Sequence, residues 1–359
     1  MRILLYKKYA YVIFFISILE MLCCNKNECI ENNQKMKNNN SVSQDKALFI
    51  VRIKDKCGFI DATGKLVIPA RFTYVMPFSD GLALVLKAIT IGPIIIFPEY
   101  SYIDKTGNTF LKPKQKLVNI FTEGLAGFMD NKTKKYGYID KAGKIVIEAK
   151  FDFASSFCDS LARIKVGNYF GYIDKTGKII IQPQFDWAVD FNDGLAIVNK
   201  NGKSGYIDKQ GNNVIPFKFD YANKFSDGIA RVEYWGKKRK FQFIDKKGNL
   251  IFDANYDLVG DFSEGLAVIE VNKKRGYINK QNEVVIEPQF DNAHNFSEGL
   301  AKVEVDHKWG YIDKTGKIVI SPQFSDAEDF KNGLAKVRVV DKGAGYIDKS
   351  GKYVWEPTE

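Results

Sequence analysis

Seven carboxylates recur at the same position of a repeated sequence phrase. Their residue type and spacing make them candidates for metal binding or acid–base catalysis. Each is the third residue of a phrase typified by Phe296-Ser297-Glu298-Gly299-Leu300-Ala301. A ladder of carboxylates could bind calcium, and two neighbouring carboxylates could hydrolyse a glycosidic bond. Each acid nevertheless stands alone beside a turn glycine, without the clustered oxygen ligands that calcium requires. We therefore expect turn-capping roles for these acids: Asp80, Glu123, Asp159, Asp193, Asp227, Glu264 and Glu298.

Other side chains with catalytic potential are few. His294 and His307 are the only histidines, and neither has a neighbouring nucleophile or metal-ligand spacing. Gly202-Lys203-Ser204 looks like the end of a phosphate-binding loop, but Ile197 stands where the first glycine of that motif belongs. The sequence therefore predicts no enzyme, no metal site and no cofactor. The alternative is a hydrolase acting on glycan or peptide through carboxylates in one modified repeat.

The acids are positioned by a unit of about 34 residues, a period typical of repeat architectures. A second phrase marks it, clearest as Gly310-Tyr311-Ile312-Asp313-Lys314-Thr315-Gly316-Lys317-Ile318-Val319-Ile320. The phrase begins nine times, at Gly58, Ser101, Gly137, Gly171, Gly205, Gln242, Gly276, Gly310 and Gly345.

Each unit is predicted to contain three short strands. Residues 300–305 alternate apolar and polar, residues 309–312 form the second strand, and residues 318–320 are a β-branched run suited to a strand covered on both sides. Pro322 should then end the ladder, since proline cannot donate a hydrogen bond. The Asp-x-x-Gly turn before the third strand needs an acceptor side chain and a left-handed residue. The repeated phenylalanine, as at Phe296, is predicted to form the core between repeats.

These units predict an all-β fold over residues 47–359, a tandem array of about nine three-stranded antiparallel repeats. Such an array can continue as an open superhelix or close into a propeller. Both ends carry a complete unit, with no split unit to lock a ring. We therefore expect an open or incompletely closed array.

The two phrases resemble those of the WG-repeat (KWG-repeat) family of bacterial proteins. The resemblance covers residues 47–359 almost entirely, although the Trp-Gly pair itself survives only at Trp309-Gly310. It implies an all-β repeat array that serves as an interaction module.

The first 46 residues indicate export. Arg2, Lys7 and Lys8 precede an apolar run that stops at Cys23-Cys24, and the segment resembles a bacterial lipoprotein signal. We expect a signal over residues 1–24 with Cys24 as the lipidated residue, and a disordered polar tether over 25–46. The alternatives are an ordinary cleaved signal and an uncleaved apolar anchor.

Of the other cysteines, Cys57 and Cys158 lie three repeats apart, and we expect two buried residues with no bridge between them.

Two departures from the repeat are the candidate contact sites. An insertion at 88–98 carries the candidate partner contacts Ile89, Ile91, Ile94, Ile95, Ile96 and Phe97, and its Gly-Pro step makes it poorly suited to extending the neighbouring strands. A second segment offers the candidate anion contacts Lys237, Lys238, Arg239 and Lys240. Each segment also has an explanation without a binding role. The insertion would be a hairpin that covers one end of the array, and the basic segment would be a solvated loop.

The net charge of +10 does not indicate nucleic-acid binding, because the basic residues recur in turns beside acidic ones. The sequence thus predicts a non-catalytic lipoprotein that faces the periplasm or the cell surface. Its membrane contact is the lipid anchor, and its partner is a protein or another envelope component.

Overall fold

The protein is a closed β-propeller of nine blades. The computed structural model describes residues 47–91, 94–115 and 117–358, and every regular element in these ranges is a β-strand. The signal, Cys24 and the tether lie outside the described residues. Each blade is one small antiparallel sheet, and the nine sheets follow one another around the ring. The all-β repeat array is therefore confirmed, and the propeller is the arrangement that it adopts.

Blades 1 to 4 contain the strands β1 (Phe49–Ile53), β2 (Lys56–Ile60), β3 (Leu66–Phe72); β4 (Tyr74–Val75), β5 (Ala83–Ile91), β6 (Ile94–Ile103), β7 (Thr109–Leu111); β8 (Leu117–Thr122), β9 (Leu125–Met129), β10 (Tyr136–Asp140), β11 (Ile145–Phe151); and β12 (Phe153–Ala154), β13 (Ala162–Val166), β14 (Tyr169–Ile173), β15 (Ile179–Phe185).

Blades 5 to 9 contain β16 (Trp187–Ala188), β17 (Ala196–Lys200), β18 (Lys203–Ile207), β19 (Asn213–Phe219); β20 (Tyr221–Ala222), β21 (Ile229–Tyr234), β22 (Lys240–Asp245), β23 (Leu250–Ala254); β24 (Leu258–Val259), β25 (Leu266–Val271), β26 (Lys274–Asn279), β27 (Val284–Phe290); β28 (Asn292–Ala293), β29 (Leu300–Val305), β30 (Lys308–Asp313), β31 (Ile318–Phe324); and β32 (Asp326–Ala327), β33 (Leu334–Val339), β34 (Gly343–Asp348), β35 (Tyr353–Thr358).

Eight of the nine blades have four strands, one more than the sequence predicted. The three predicted strands of each unit are present. The additional strand precedes them and has two residues in seven blades, as in Asn292–Ala293, which pairs with Val303 and Glu304. Two residues are too few to show an alternating pattern, so this strand has no periodic signal in the sequence.

The prediction that the last strand of each unit is covered on both sides is wrong, because in β31 Ile318 and Val319 are exposed while Ile320 is buried. This strand also lies at the edge of its sheet. The strand also continues through Pro322 to Phe324, instead of ending before the proline. One register shift against β30 lies between Ile320 and Phe324, and an irregular edge strand tolerates a residue that lacks an N–H group.

The core lies between blades, as the repeated phenylalanine predicted. Phe296 is 1% exposed and packs on Tyr277 of the preceding blade, with ring centroids 5.0 Å apart. The Tyr277 hydroxyl crosses the same interface and donates to the carbonyl of His294 at 2.7 Å. Equivalent tyrosine hydroxyls bond the next blade from Tyr102, Tyr138, Tyr172, Tyr206 and Tyr311. Each blade is thereby tied to its neighbour by a ring pair and, in most cases, a hydrogen bond from a tyrosine hydroxyl.

The ring closes between the last blade and the first, so the expectation of an open array is wrong. The hydroxyl of Tyr346 donates to the carbonyl of Ile50 at 2.9 Å, and its ring meets Phe49 with centroids 5.6 Å apart. Leu334 and Trp355 complete this apolar contact. Blade 1 thus receives from blade 9 a ring contact and a tyrosine hydrogen bond, the two kinds of contact that join most neighbouring blades. No split blade is required.

Cys57 is a buried free thiol in the core of blade 1. It therefore forms no bridge to Cys158, as expected.

Candidate interaction surface

The turns of each blade alternate between the two faces of the propeller, because neighbouring strands run in opposite directions. One face carries the Phe-Ser-Glu-Gly turns before the second strand and the Asp-x-x-Gly turns after the third; we name it the acidic-turn face. The other carries the loops between the second and third strands; we name it the loop face. Its described loop residues are 54–55, 130–135, 167–168, 201–202, 235–239, 272–273, 306–307 and 340–342.

The acids of the repeated phrase occupy strained turn positions. Glu298 has φ of 54° and Gly299 has φ of 88°, and Ser297 and Leu300 exchange both backbone hydrogen bonds. Two successive positive φ angles are typical of the primed two-residue turns that join antiparallel strands. All seven acids have a positive φ, as does Asn332, which takes the acid's place in blade 9.

The side chain of each acid extends to the next blade. The Glu298 carboxylate accepts the Gly333 N–H at 2.9 Å and contacts the Lys349 Nζ at 3.3 Å. Five other acids accept an N–H group from the following blade, namely Asp80, Glu123, Asp159, Asp227 and Glu264. Turn capping is therefore confirmed, but the capped turn belongs to the neighbouring blade, which sequence spacing alone did not reveal.

Lysines from the Asp-x-x-Gly turns complete this ring of contacts. Ion pairs join Lys141 to Asp80, Lys175 to Glu123, Lys209 to Asp159, Lys246 to Asp193 and Lys314 to Glu264, while Lys280 donates to the carbonyl of Asp227. The contact between blades 9 and 1 is different, because Asn332 replaces the acid and Ala62 replaces the lysine. Among the described residues, no three His, Cys, Asp or Glu side chains converge as a metal site.

The Asp-x-x-Gly turns follow the prediction. The Asp313 carboxylate accepts the Thr315 hydroxyl at 2.6 Å and the N–H groups of Thr315 and Lys317 at 2.9 and 3.1 Å. The hydroxyl bond is the main reason that the pKa of Asp313 is lowered. In blade 7, Asn279 accepts the equivalent N–H bonds and Asn282 adopts a φ of 64°. The acidic-turn face therefore uses most of its polar groups within the ring.

The loop face has an excess of positive charge. Its described loops contain nine lysines and arginines and four aspartates. Several aspartates just before the first strands are occupied by capping; the Asp220 carboxylate, for example, accepts the Trp235 N–H at 2.8 Å and the Lys203 Nζ at 2.6 Å. Among the loop cations, Lys135 pairs with Asp152 at 2.5 Å, so these aspartates compensate part of the excess.

Glu233 organises the loop of blade 6. This carboxylate is 4% exposed and has three partners, the Arg231 Nη1 at 2.5 Å, the Trp235 Nε1 at 3.2 Å and the Arg239 Nε at 3.3 Å. A buried charge is costly unless it is paired in this way. The cluster fixes the Trp235 side chain, which is 58% exposed, at the start of the loop.

The predicted anion contacts lie beside this tryptophan and are all exposed. Arg239 is engaged by Glu233, and Lys240 forms an ion pair with Asp253 at 3.0 Å. Lys237 and Lys238 have no ion pair within the described part of the chain. The structure therefore brings the four residues together and leaves two of them with uncompensated charge.

The insertion of blade 2 extends the strands, contrary to the expectation that its prolines would prevent this. In the other blades the hairpin ends near the level of the Lys87–Glu99 pair, whereas here pairing continues to Ile91 and Ile94. A register shift between Ala88 and Thr90 accommodates Pro98, which lies opposite Ala88. The added part projects roughly 13 Å from the loop face, at about 3.4 Å per residue. The six candidate partner contacts remain a prediction.

The two histidines lie near blade 8. His294 packs edge-on against Trp309, with ring centroids 5.5 Å apart, and burial lowers its pKa. His307 is at a loop tip, and its side chain is 98% exposed.

The sequence matches the model of a protein family described as WG containing repeat. The matches cover residues 58–88, 100–133, 136–170, 170–203, 205–237, 243–274, 276–309 and 309–342. No curated protein matches the sequence significantly. The described part of the chain contains no helix of sufficient length and apolar character to cross a bilayer.

Among solved structures, one described as the eukaryotic initiation factor is similar over 88% of this chain and 98% of its own, with a TM-score of 0.60 and 13% identity. BamB from Moraxella catarrhalis is similar over 83% of this chain and 95% of its own, with a TM-score of 0.39 and 10% identity. AztD from Citrobacter koseri is similar over 87% and 94%, with a TM-score of 0.41 and 13% identity. At these identities the first likeness concerns the fold alone.

Proposed function

Because the chain belongs to the WG containing repeat family and folds as a propeller, we propose that it is a non-catalytic binding protein whose loop face holds a partner in the cell envelope. The partner is a protein or another envelope component. The observation that carries this proposal is the position of the two departures from the repeat. The extended hairpin of blade 2 and the Trp235 loop of blade 6 both project from the loop face.

The acidic-turn face is less suited to this role. Most of its carboxylates already accept N–H groups and contact lysines of the next blade, so a partner would have to compete with those bonds. The loop face instead offers exposed side chains such as Lys237 and Lys238, which form no ion pair within the described residues.

Site-specific photocrosslinking in intact cells tests this assignment. A photoreactive residue at position 54, 237, 273 or 342 of the loop face should capture a partner. The same residue at Lys144, Lys178 or Lys317 of the acidic-turn face is the matched control and should capture none. Capture from the acidic-turn face alone would overturn the proposal.

We also propose that the protein reaches the envelope as a lipoprotein anchored through Cys24, on the basis of the short apolar run that ends at Cys23-Cys24. Changing both cysteines to serine should move the protein from the detergent phase to the aqueous phase of a phase separation. The single variants show which thiol carries the lipid. Unchanged partition of the double variant would show that the apolar segment itself is the anchor.

A further inference from the structure

The apolar tips of the loop face are spread around the ring. Val166 and Tyr169 flank the loop of blade 4, Trp235 starts that of blade 6 and Val340 starts that of blade 9, with exposed fractions of 45%, 49%, 58% and 56%. The projecting hairpin of blade 2 lies on the same face. A groove for a peptide would require apolar side chains on neighbouring blades. Separate apolar side chains around one face are better suited to contact with a flat, extended surface.

The charge of the loop face indicates that the bound surface is anionic. The loops carry more than twice as many cationic as anionic residues, and Lys237 and Lys238 lack an ion-pair partner within the described residues. Lysines close to an anionic membrane are attracted to its surface. An anionic surface would therefore neutralise charge that the protein leaves uncompensated.

Trp235 is held in the orientation that a bilayer interface favours. Its Nε1 donates inward to Glu233 and its backbone N–H donates to Asp220, so the polar groups of the residue are satisfied by the protein. The exposed part of the side chain is then mainly the apolar ring. Tryptophan is enriched at membrane–water interfaces, where such a ring lies among the headgroups.

We propose that the loop face docks on an anionic lipid bilayer, with Trp235 at the level of the headgroups and Lys237 and Lys238 against lipid phosphates. Glu233 is a positioning residue that holds Trp235 and Arg239. This inference rests on the proposed function, because it takes the loop face as the binding surface, and it names the chemistry of what is bound.

Vesicle capture by the full-length protein provides the test. The protein is reconstituted through its own N-terminal segment into neutral phosphatidylcholine nanodiscs and immobilised by a C-terminal tag. Vesicles of phosphatidylcholine alone, or with about 30% phosphatidylglycerol, are then passed over it. Anionic vesicles should be captured in a salt-dependent manner, and neutral vesicles should not.

The variants separate a local contact from bulk charge. Lys237→Glu with Lys238→Glu should weaken capture at least about tenfold, since each reversal replaces attraction by repulsion. Trp235→Ala should weaken it several-fold while keeping the salt dependence. Lys178→Glu with Lys317→Glu makes the same charge change on the acidic-turn face and should have little effect. Because all these side chains are exposed, circular dichroism should remain unchanged.

Three outcomes would overturn the inference: equal capture of neutral and anionic vesicles, equal losses in the two charge-reversal variants, or full displacement by inorganic phosphate, which indicates an isolated anion site. A photocrosslinked protein on the loop face, combined with absent vesicle capture, would refute bilayer docking and leave the proposed function standing. Absence of both would refute both.

Discussion

At the scale of single residues, the glycine that opens most Gly-Tyr-Ile phrases is required by the distance between two strands. A Cβ atom at Gly137 would lie 2.4 Å from the carbonyl oxygen of Ile147 and 2.8 Å from the backbone nitrogen of Ala149. Backbone atoms cannot rotate away as a side chain can. Blade 6 has Gln242 at this place, and there the pairing with β23 contains one register shift instead of two.

Gly137→Ala should therefore destabilise the protein by about 1–3 kcal/mol, the typical cost of overpacking. Gly127→Ala is the matched control, because it lies in the adjacent strand of the same blade and its added Cβ would meet nothing closer than 3.8 Å. Chemical unfolding of both variants provides the comparison. Equal unfolding free energies would show that β11 can move away from β10.

The Asp-x-x-Gly turns should make stability depend on acid. The pKa values of Asp174, Asp313 and Asp348 are lowered, mainly by a neighbouring hydroxyl, so each carboxylate is more acidic in the folded state than in the unfolded state. The resulting stabilisation is fully present above the unfolded value near 3.8 and is lost as the pH falls through the lower folded values.

Changing these three aspartates to asparagine should flatten that dependence. Asparagine keeps the acceptor oxygen, as Asn279 shows in blade 7, but does not titrate in this range. The measurement is the unfolding free energy in urea from about pH 7 to about pH 2.5. The triple variant should fall less steeply below about pH 4 than the wild type. Parallel curves would mean that other carboxylates dominate acid unfolding.

At the scale of elements, the hairpin of blade 2 extends past the length that other blades share. The described buried residues of β5 and β6, among them Val85 and Tyr102, lie below the Lys87–Glu99 pair, at the shared length.

Replacing residues 89–97 by a short Gly-Ser turn should leave the β-type circular dichroism and the thermal midpoint nearly unchanged, while partner capture falls. Phe296→Ala, which empties an interface between blades, is the destabilising reference and should cost about 3–5 kcal/mol. If the shortened protein unfolds and capture is unaffected, the hairpin packs on the core and makes no partner contact.

The structural elements could be predicted from the sequence where burial or turn geometry alone explains why a residue recurs. Phe296 and Asp313 repeat with the unit, and burial or turn geometry explains each. Three features were missed: the strand Asn292–Ala293, the continuation of β31 through Pro322, and the contact of Glu298 with blade 9. The first two are pairings within one blade that are too short or too irregular to show a period. The third arises only when two blades meet, whereas sequence periodicity describes one unit at a time. The basic loop was located by composition, but Glu233 was not, because one acid in an alternating strand gives no signal of burial.

At the scale of the whole molecule, the contact between blades 9 and 1 has a tyrosine hydrogen bond but no acid–lysine pair. Asn332 already has the required φ of 52°, and Ala62 occupies the lysine position of its turn. Asn332→Asp with Ala62→Lys should complete the ring and raise the unfolding free energy by up to about 1 kcal/mol, as exposed ion pairs do.

The single variants are the controls for this prediction, and a double-mutant cycle measured by thermal unfolding isolates the coupling. High salt should reduce the gain, because it screens an exposed pair. Additive effects of the two changes would show that the side chains do not meet across the junction.

The position of this junction also determines how the ring bears load. The strand β1 begins on the acidic-turn face, in the blade whose contact with blade 9 lacks the ion pair. If the chain is pulled at residue 47 while the loop face of the propeller is held, the force acts first on blade 1. The first rupture under tension should then separate blade 1 from blade 9, and the ring would unroll blade by blade from its N-terminal end. The contact between blades 9 and 1 closes the ring, and it is also the contact that we expect to break first under tension.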